Sequence, residues 1–157
     1  MKRSSRVRTL RGTIDVAAGA QAKRDLILDD GRINVGYKVT GFHFWQADMI
    51  GNVNAGGAQA TLLMSPDATY SLAESEDNRE IAWAAYQTGS GFSLDYYELV
   101  DPDHIVVRDL VIQIPQNSIA GPNTVRYNYL INLDEYEITD QEAIISIIKE
   151  ESQDVDN

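Results

Sequence analysis

Cysteine is absent from this 157-residue chain, so a disulfide framework, a thiolate metal site and a cysteine nucleophile are all excluded. Histidine occurs twice, as His43 and His104, which leaves acid–base chemistry near neutral pH few candidates. No stretch approaches the roughly 20 apolar residues of a membrane span, so none is expected. The basic start is not followed by the apolar segment that a secretory leader requires. Four prolines and eleven glycines fall at turn sites and form no low-complexity run. Phosphate-loop, nucleophile-elbow and H-E-x-x-H patterns are missing too.

What is present is an uneven charge. The first twelve residues, MKRSSRVRTLRG, hold five cations and no acid, yet the chain as a whole carries −11. Residues 1–38 hold nine bases against four acids, whereas 39–157 hold four bases against twenty acids. Such a split implies one electrostatically distinct end with its own partner. Lys2, Arg3, Arg6, Arg8 and Arg11 are therefore the candidates for contact with nucleic acid, through sequence-independent phosphate pairing. They are equally the candidates for contact with the acidic body of another copy, because the strand-like RTLRGTIDV that follows could add to a neighbour's sheet edge.

The rest of the chain reads as strands. In VRYNYLINL, Val125, Tyr127, Tyr129, Ile131 and Leu133 alternate with more polar residues over nine positions, the period of a half-buried strand. In INVGYKVTGFHFW, Val35, Tyr37 and Val39 share one parity, whereas Phe42 and Phe44 have the other. A bulge at Gly41 would return all five to one face. Further strands are expected over 9–16, 23–28, 58–64, 81–86, 92–100 and 104–114, the last ending at Pro115. Turn residues separate them at 29–32, 54–57, 65–69, 89–91, 101–103 and 120–123. Eight short strands predict an all-β fold, an eight-stranded antiparallel sandwich of which the single jelly roll is the leading form.

One helix is expected, over 139–150. Thr139 with Glu142 three residues on is a capping box, and Ile144, Ile145, Ile147 and Ile148 form an apolar stripe. The stripe needs a surface: its own sandwich or, in the sharper reading, a neighbouring subunit packed on Ile144, Ile145 and Ile148. The resulting division is a basic arm at 1–11, a sandwich at 12–138, the helix at 139–150 and a flexible tail at 151–157.

Sites for chemistry are sparse. Asp101, Asp103 and His104 are the residues that would surround a metal, but they lack a recognised ligand spacing, and no metal or cofactor is expected. His43, between Phe42 and Phe44, reads as structural. The acidic run Glu74 to Asn78 reads as a solvated loop, with a calcium-dependent contact as its alternative. In DYYEL, Tyr96 and Tyr97 point to opposite faces, so at least one lies outside the core as an interface or ligand contact.

Several stretches, GYKVTGFHFW, DNREIAWA, DPDHIVVRDLVI and YNYLINLDEYEITDQEAIISIIKEESQDV, resemble a group of small uncharacterised bacteriophage proteins, many of them from marine phages. The likeness runs over most of the chain after residue 30. It implies a virion structural protein, a jelly-roll capsid or capsid-associated subunit, and brings no site residues with it. The expected function is thus a non-enzymatic shell subunit, a homo-oligomer meeting other virion proteins, made in the host cytoplasm and located in the virion. A carbohydrate- or receptor-binding sandwich of a phage particle is the alternative, and an enzyme with an unrecognised site is the second.

Overall fold

A computed structural model describes residues 1–17, 19–28, 31–47, 56–65, 73–88, 94–117 and 124–151. The turns expected at 29–32, 54–57, 65–69, 89–91 and 120–123 lie wholly or partly outside these residues. So do Phe92 and positions 152–157 of the tail.

Eight strands and one helix follow in order: β1 (Lys2–Ala17), β2 (Ala22–Ile27), β3 (Val35–Gln46), β4 (Gly56–Leu63), β5 (Glu80–Thr88), β6 (Leu94–Val100), β7 (Asp109–Asn117), β8 (Thr124–Glu137) and α1 (Asp140–Glu151). They form two antiparallel sheets, β1-β8-β3 and β2-β7-β4-β5-β6. A jelly roll arises when an eight-stranded hairpin, pairing 1 with 8, 2 with 7, 3 with 6 and 4 with 5, is rolled into a sandwich. Three of those pairs are ladders here. The fourth is displaced: β6 is hydrogen-bonded to β5 instead and reaches β3 through the contact of His43 Nδ1 with the Glu98 carboxyl at 2.8 Å.

The core lies between the sheets, and alternation decides what enters it. From β8 come Val125, Tyr127, Tyr129, Ile131 and Leu133, all buried. In β3 the ladder shifts between Val39 and Gly41. The bulge sits where the parity of the apolar residues changes, so Phe42 and Phe44 join Val35, Tyr37 and Val39 in one core. Leu62, Ala82, Leu110 and Ile112 meet them from the second sheet. Each fully buried large apolar side chain contributes about 1.5–3 kcal/mol relative to an exposed one. At one end, Phe44 stacks on Tyr127 with centroids 4.9 Å apart, and the Tyr86 hydroxyl donates to Gln46 Oε1 at 3.1 Å. Burial pushes the phenols of Tyr86 and Tyr127 up from their ordinary range.

Two element boundaries differ from expectation for physical reasons. Strand β7 passes through Pro115, because its ladder to β2 ends at Ile114 and its ladder to β4 shifts register just there, so the missing N–H falls at an irregularity. Residues 104–108 belong to no strand. Val106 instead bridges to Tyr37 through two backbone bonds of 2.7 and 2.8 Å.

The largest difference is at the start. Residues 1–11, expected as an arm separate from the sandwich, form most of β1, whose ladder runs along β8 from Lys2↔Glu137 to Ala17↔Thr124. A break in register between Arg3 and Val7 is the only sign of a boundary. Gly12 is where the core reaches this strand: the Tyr129 ring lies over it, and a Cβ there would stand 2.5 Å from the phenol oxygen.

Candidate functional site

The five N-terminal cations lie along one strand but have different surroundings. Arg3 pairs with Asp134 of β8 at 2.8 Å. Arg8 points inward, its guanidinium 6.0 Å from the centre of the Tyr37 ring and bonded to the Leu28 carbonyl. Lys2, Arg6 and Arg11 are exposed and, among the described residues, make no ion pair. Val7 and Thr9 share the outer side with Arg11, and Val7 is 71% exposed. Beside this stretch Ser4, Arg6, Arg32, Asn34, Glu135 and Glu137 line an open cavity of about 590 Å³. Within it the Glu135 carboxylate accepts from the two terminal guanidinium nitrogens of Arg32, at 3.1 and 3.2 Å.

Strand β1 is also an edge, because β8 pairs one of its sides and no described strand pairs the other. Side chains of β2 and β1 cap parts of that edge: Arg24 donates to the Thr13 carbonyl. The opposite edge of the same sheet, along β3, is closed. Val106 occupies Tyr37, and His104 Nε2 accepts from the Val39 N–H at 2.8 Å.

The helix presents the second part of the surface. The capping box is formed: Glu142 N–H donates to Thr139 Oγ1 at 3.2 Å and Thr139 N–H to Glu142 Oε2 at 2.8 Å. The Thr139 N–H, with the N-terminal ammonium 3.1 Å from Oε1, holds the Glu142 carboxyl below its ordinary range. Ile138 before the cap packs with Ala143 and Val107, a hydrophobic staple that sets the rotation of the helix. Ala143 and Ser146 consequently face the body, while Ile144, Ile145 and Ile148 remain 58, 48 and 54% exposed. The three isoleucines share an outward face, and β1 begins beside the same helix terminus.

The remaining candidates separate from this surface. His104 is buried, with Nδ1–H donating to the Asp101 carbonyl and Nε2 committed to Val39. Both nitrogens are used by backbone, and burial lowers its pKa, so it braces the β3 edge and offers no lone pair to a metal. Asp101 instead accepts the Asp103 N–H in a turn. Among the described residues no three His, Asp or Glu side chains are grouped to hold a metal. His43 stands on the outer face, paired with Glu98. Tyr96 and Tyr97 do lie on opposite sides of β6. Tyr96 neighbours Tyr86, 6.2 Å between centroids, and the Tyr97 hydroxyl accepts from Gln59 at 2.8 Å. Both are about half exposed.

Sequence reasoning passed over two buried carboxylates. Glu80 accepts from Trp83 Nε1 and from the Glu74 N–H, each at 2.8 Å, and burial pushes its carboxyl up. It thereby ties the acidic run at 74–78 to the sheet. Glu135 had a readable signal, since it continues the inward parity of Ile131 and Leu133. No helix among the described residues is long and apolar enough to cross a membrane. Comparison with protein-family models, with curated proteins and with solved structures finds no match.

Proposed function

We propose that this chain is a non-enzymatic structural subunit of a virion shell, a capsid or capsid-associated protein that self-assembles through its sandwich edges. The observation that carries the reading is the β1 edge, which no described strand pairs and where Lys2, Arg6 and Arg11 stand exposed without ion partners among the described residues, on a chain of net charge −11. Cations left unpaired on an acidic protein call for an acidic partner. The strand pairing supports the reading, three of its four hairpin pairs being those of a jelly roll, a form that shell subunits share, as does the resemblance to small phage proteins. Other virion proteins are further partners, and the virion is the location.

Removing residues 1–11 is a poor test, because it would strip the β8 ladder of most of its β1 partners. Reversal of charge at Lys2, Arg6 and Arg11 to Glu leaves the backbone in place. The purified chain should form large particles at low salt, seen by light scattering and electron microscopy, and the triple variant should not. Particles that form only when nucleic acid is added would assign the cations to the genome, with a salt-dependent affinity. Absence of particles under both conditions would contradict the shell reading.

One observation favours a second reading. Tyr97, half exposed and bonded to Gln59, lies across the ladder from Ala85 and two residues from the exposed Leu99, a small aromatic and polar platform on the outer sheet face. A carbohydrate- or receptor-binding module would use it for stacking. Saturable glycan binding lost in Tyr97→Ala, with no particles formed, would favour that reading.

A further inference from the structure

The geometry points to a two-fold dimer in which the α1 helix of each copy lies across the β1 strand of the other. The inference rests on the reading that the chain self-associates, and it names the contact.

Two surfaces at one corner of the molecule lack cover among the described residues. The first is the outward face of α1, Ile144, Ile145 and Ile148, each about half exposed. It cannot be turned inward cheaply, since the Ile138–Ala143 staple and the capping box fix the helix by its other side. The second is the outer side of β1, where the exposed Val7 shares its face with Thr9 and Arg11, next to the Arg3–Asp134 pair and to the exposed Arg6 at the mouth of the cavity. The two match in charge as well as in polarity. The helix sequence holds Asp140, Glu142, Glu150 and Glu151 against a single Lys149, whereas β1 holds five bases against Asp15 alone.

Self-pairing of either surface is disfavoured. Helix on helix would bring the acids of both copies together, and β1 on β1 would bring the exposed Lys2, Arg6 and Arg11 of both copies to one new ladder, where like charges destabilise. The crossed arrangement puts acid beside base and apolar beside apolar. It is also geometrically available to a closed dimer. The starts of β1 and α1 are neighbours within one chain, the Met1 ammonium being 3.1 Å from Glu142 Oε1. A half-turn about an axis at that corner delivers each helix to the other copy's strand, so that the same contact is made twice.

The test uses the full chain in two variants. Ile144→Ser with Ile148→Ser damages the helix face, and Arg6→Glu with Arg11→Glu damages the strand. All four positions are exposed, and unfolding curves matching the parent's show that each variant is folded. Sedimentation at moderate salt should give the parent at twice its 17.5 kDa and each variant alone at the single mass. Mixed in equal amounts, the variants should recover a dimer, because one intact helix meets one intact strand. A mixture that stays monomeric, or a helix variant that keeps the parent's mass, would overturn the inference. As a second measurement, Val7→Cys mixed with Ile145→Cys should form an inter-chain disulfide on oxidation, in a chain that otherwise has no cysteine; failure to cross-link would count against the contact. A dimer without particles would leave this contact standing and remove the shell reading. Particles insensitive to the helix variant would do the reverse.

Discussion

Strands β1 and β3 flank the same central strand, β8, yet β3 is sealed by its own chain, whereas no described strand pairs the free edge of β1. In β3 the free side is taken up by the Val106 bridge and the His104 imidazole. Its inward side chains, from Val35 to Phe44, are buried. In β1 only Ile14 and Val16 are buried, and the strand carries Arg24 on one carbonyl and cations that make no ion pair among the described residues. An exposed strand edge is a template for further pairing unless charge blunts it. The first edge therefore serves stability, and the second keeps identical edges apart while remaining attractive to an acidic surface.

The comparison can be broken most severely at the sealed strand. Phe42→Ala, at a site fully buried beside the bulge, should cost about 3–5 kcal/mol in denaturant unfolding, whereas Val7→Ala on β1 should change stability by less than about 0.5 kcal/mol. Equal losses would mean that β1 is as much part of the core as β3. Gly12→Ala sharpens the boundary within β1. Its methyl group meets the Tyr129 ring, and a loss of about 1–3 kcal/mol is expected from overpacking; no loss would place the ring elsewhere.

A pH dependence should distinguish the sealed edge as well. The folded-state pKa of His104 is lowered from 6.5 by burial, so its contribution is present above that value and lost as the pH falls. Glu80 acts oppositely, its raised carboxyl contributing at low pH and losing that contribution as the pH rises past 4.5 and through its folded value. Thermal unfolding between pH 7.5 and 5.5 should therefore show a decline with acidity that is flatter in His104→Asn. An unchanged slope would remove His104 from the account. The smallest effect on stability, under about 0.5 kcal/mol per site, is expected for Glu at Lys2, Arg6 and Arg11, although the same changes should abolish association.

Most of the sheet framework was legible because alternation is a local property. The parity change across Gly41 is enough to require a bulge, and one is found between Val39 and Gly41. The capping box at Thr139 and Glu142 was readable for the same reason. Strand β1 was misjudged at its start because a run of cations resembles a solvated terminus, and only the long-range ladder to β8 shows that residues from Lys2 onward belong to the sandwich. The helix was legible as an element but its rotation was not. The four isoleucines dominate the pattern, yet the smaller Ala143 and Ser146 face the body, a choice made by Ile138 and Val107. His104 looks like a ligand in sequence because one of its two backbone partners, the Val39 N–H, is distant along the chain.

The most direct measurement is backbone hydrogen exchange of the full chain, dilute and then concentrated into its associated form. The account predicts that amides over 7–13 of β1, together with the outward face of α1, gain protection on association while those of 35–46 in β3 do not change. Protection gained along β3 and β6, with β1 exchanging as before, would contradict it.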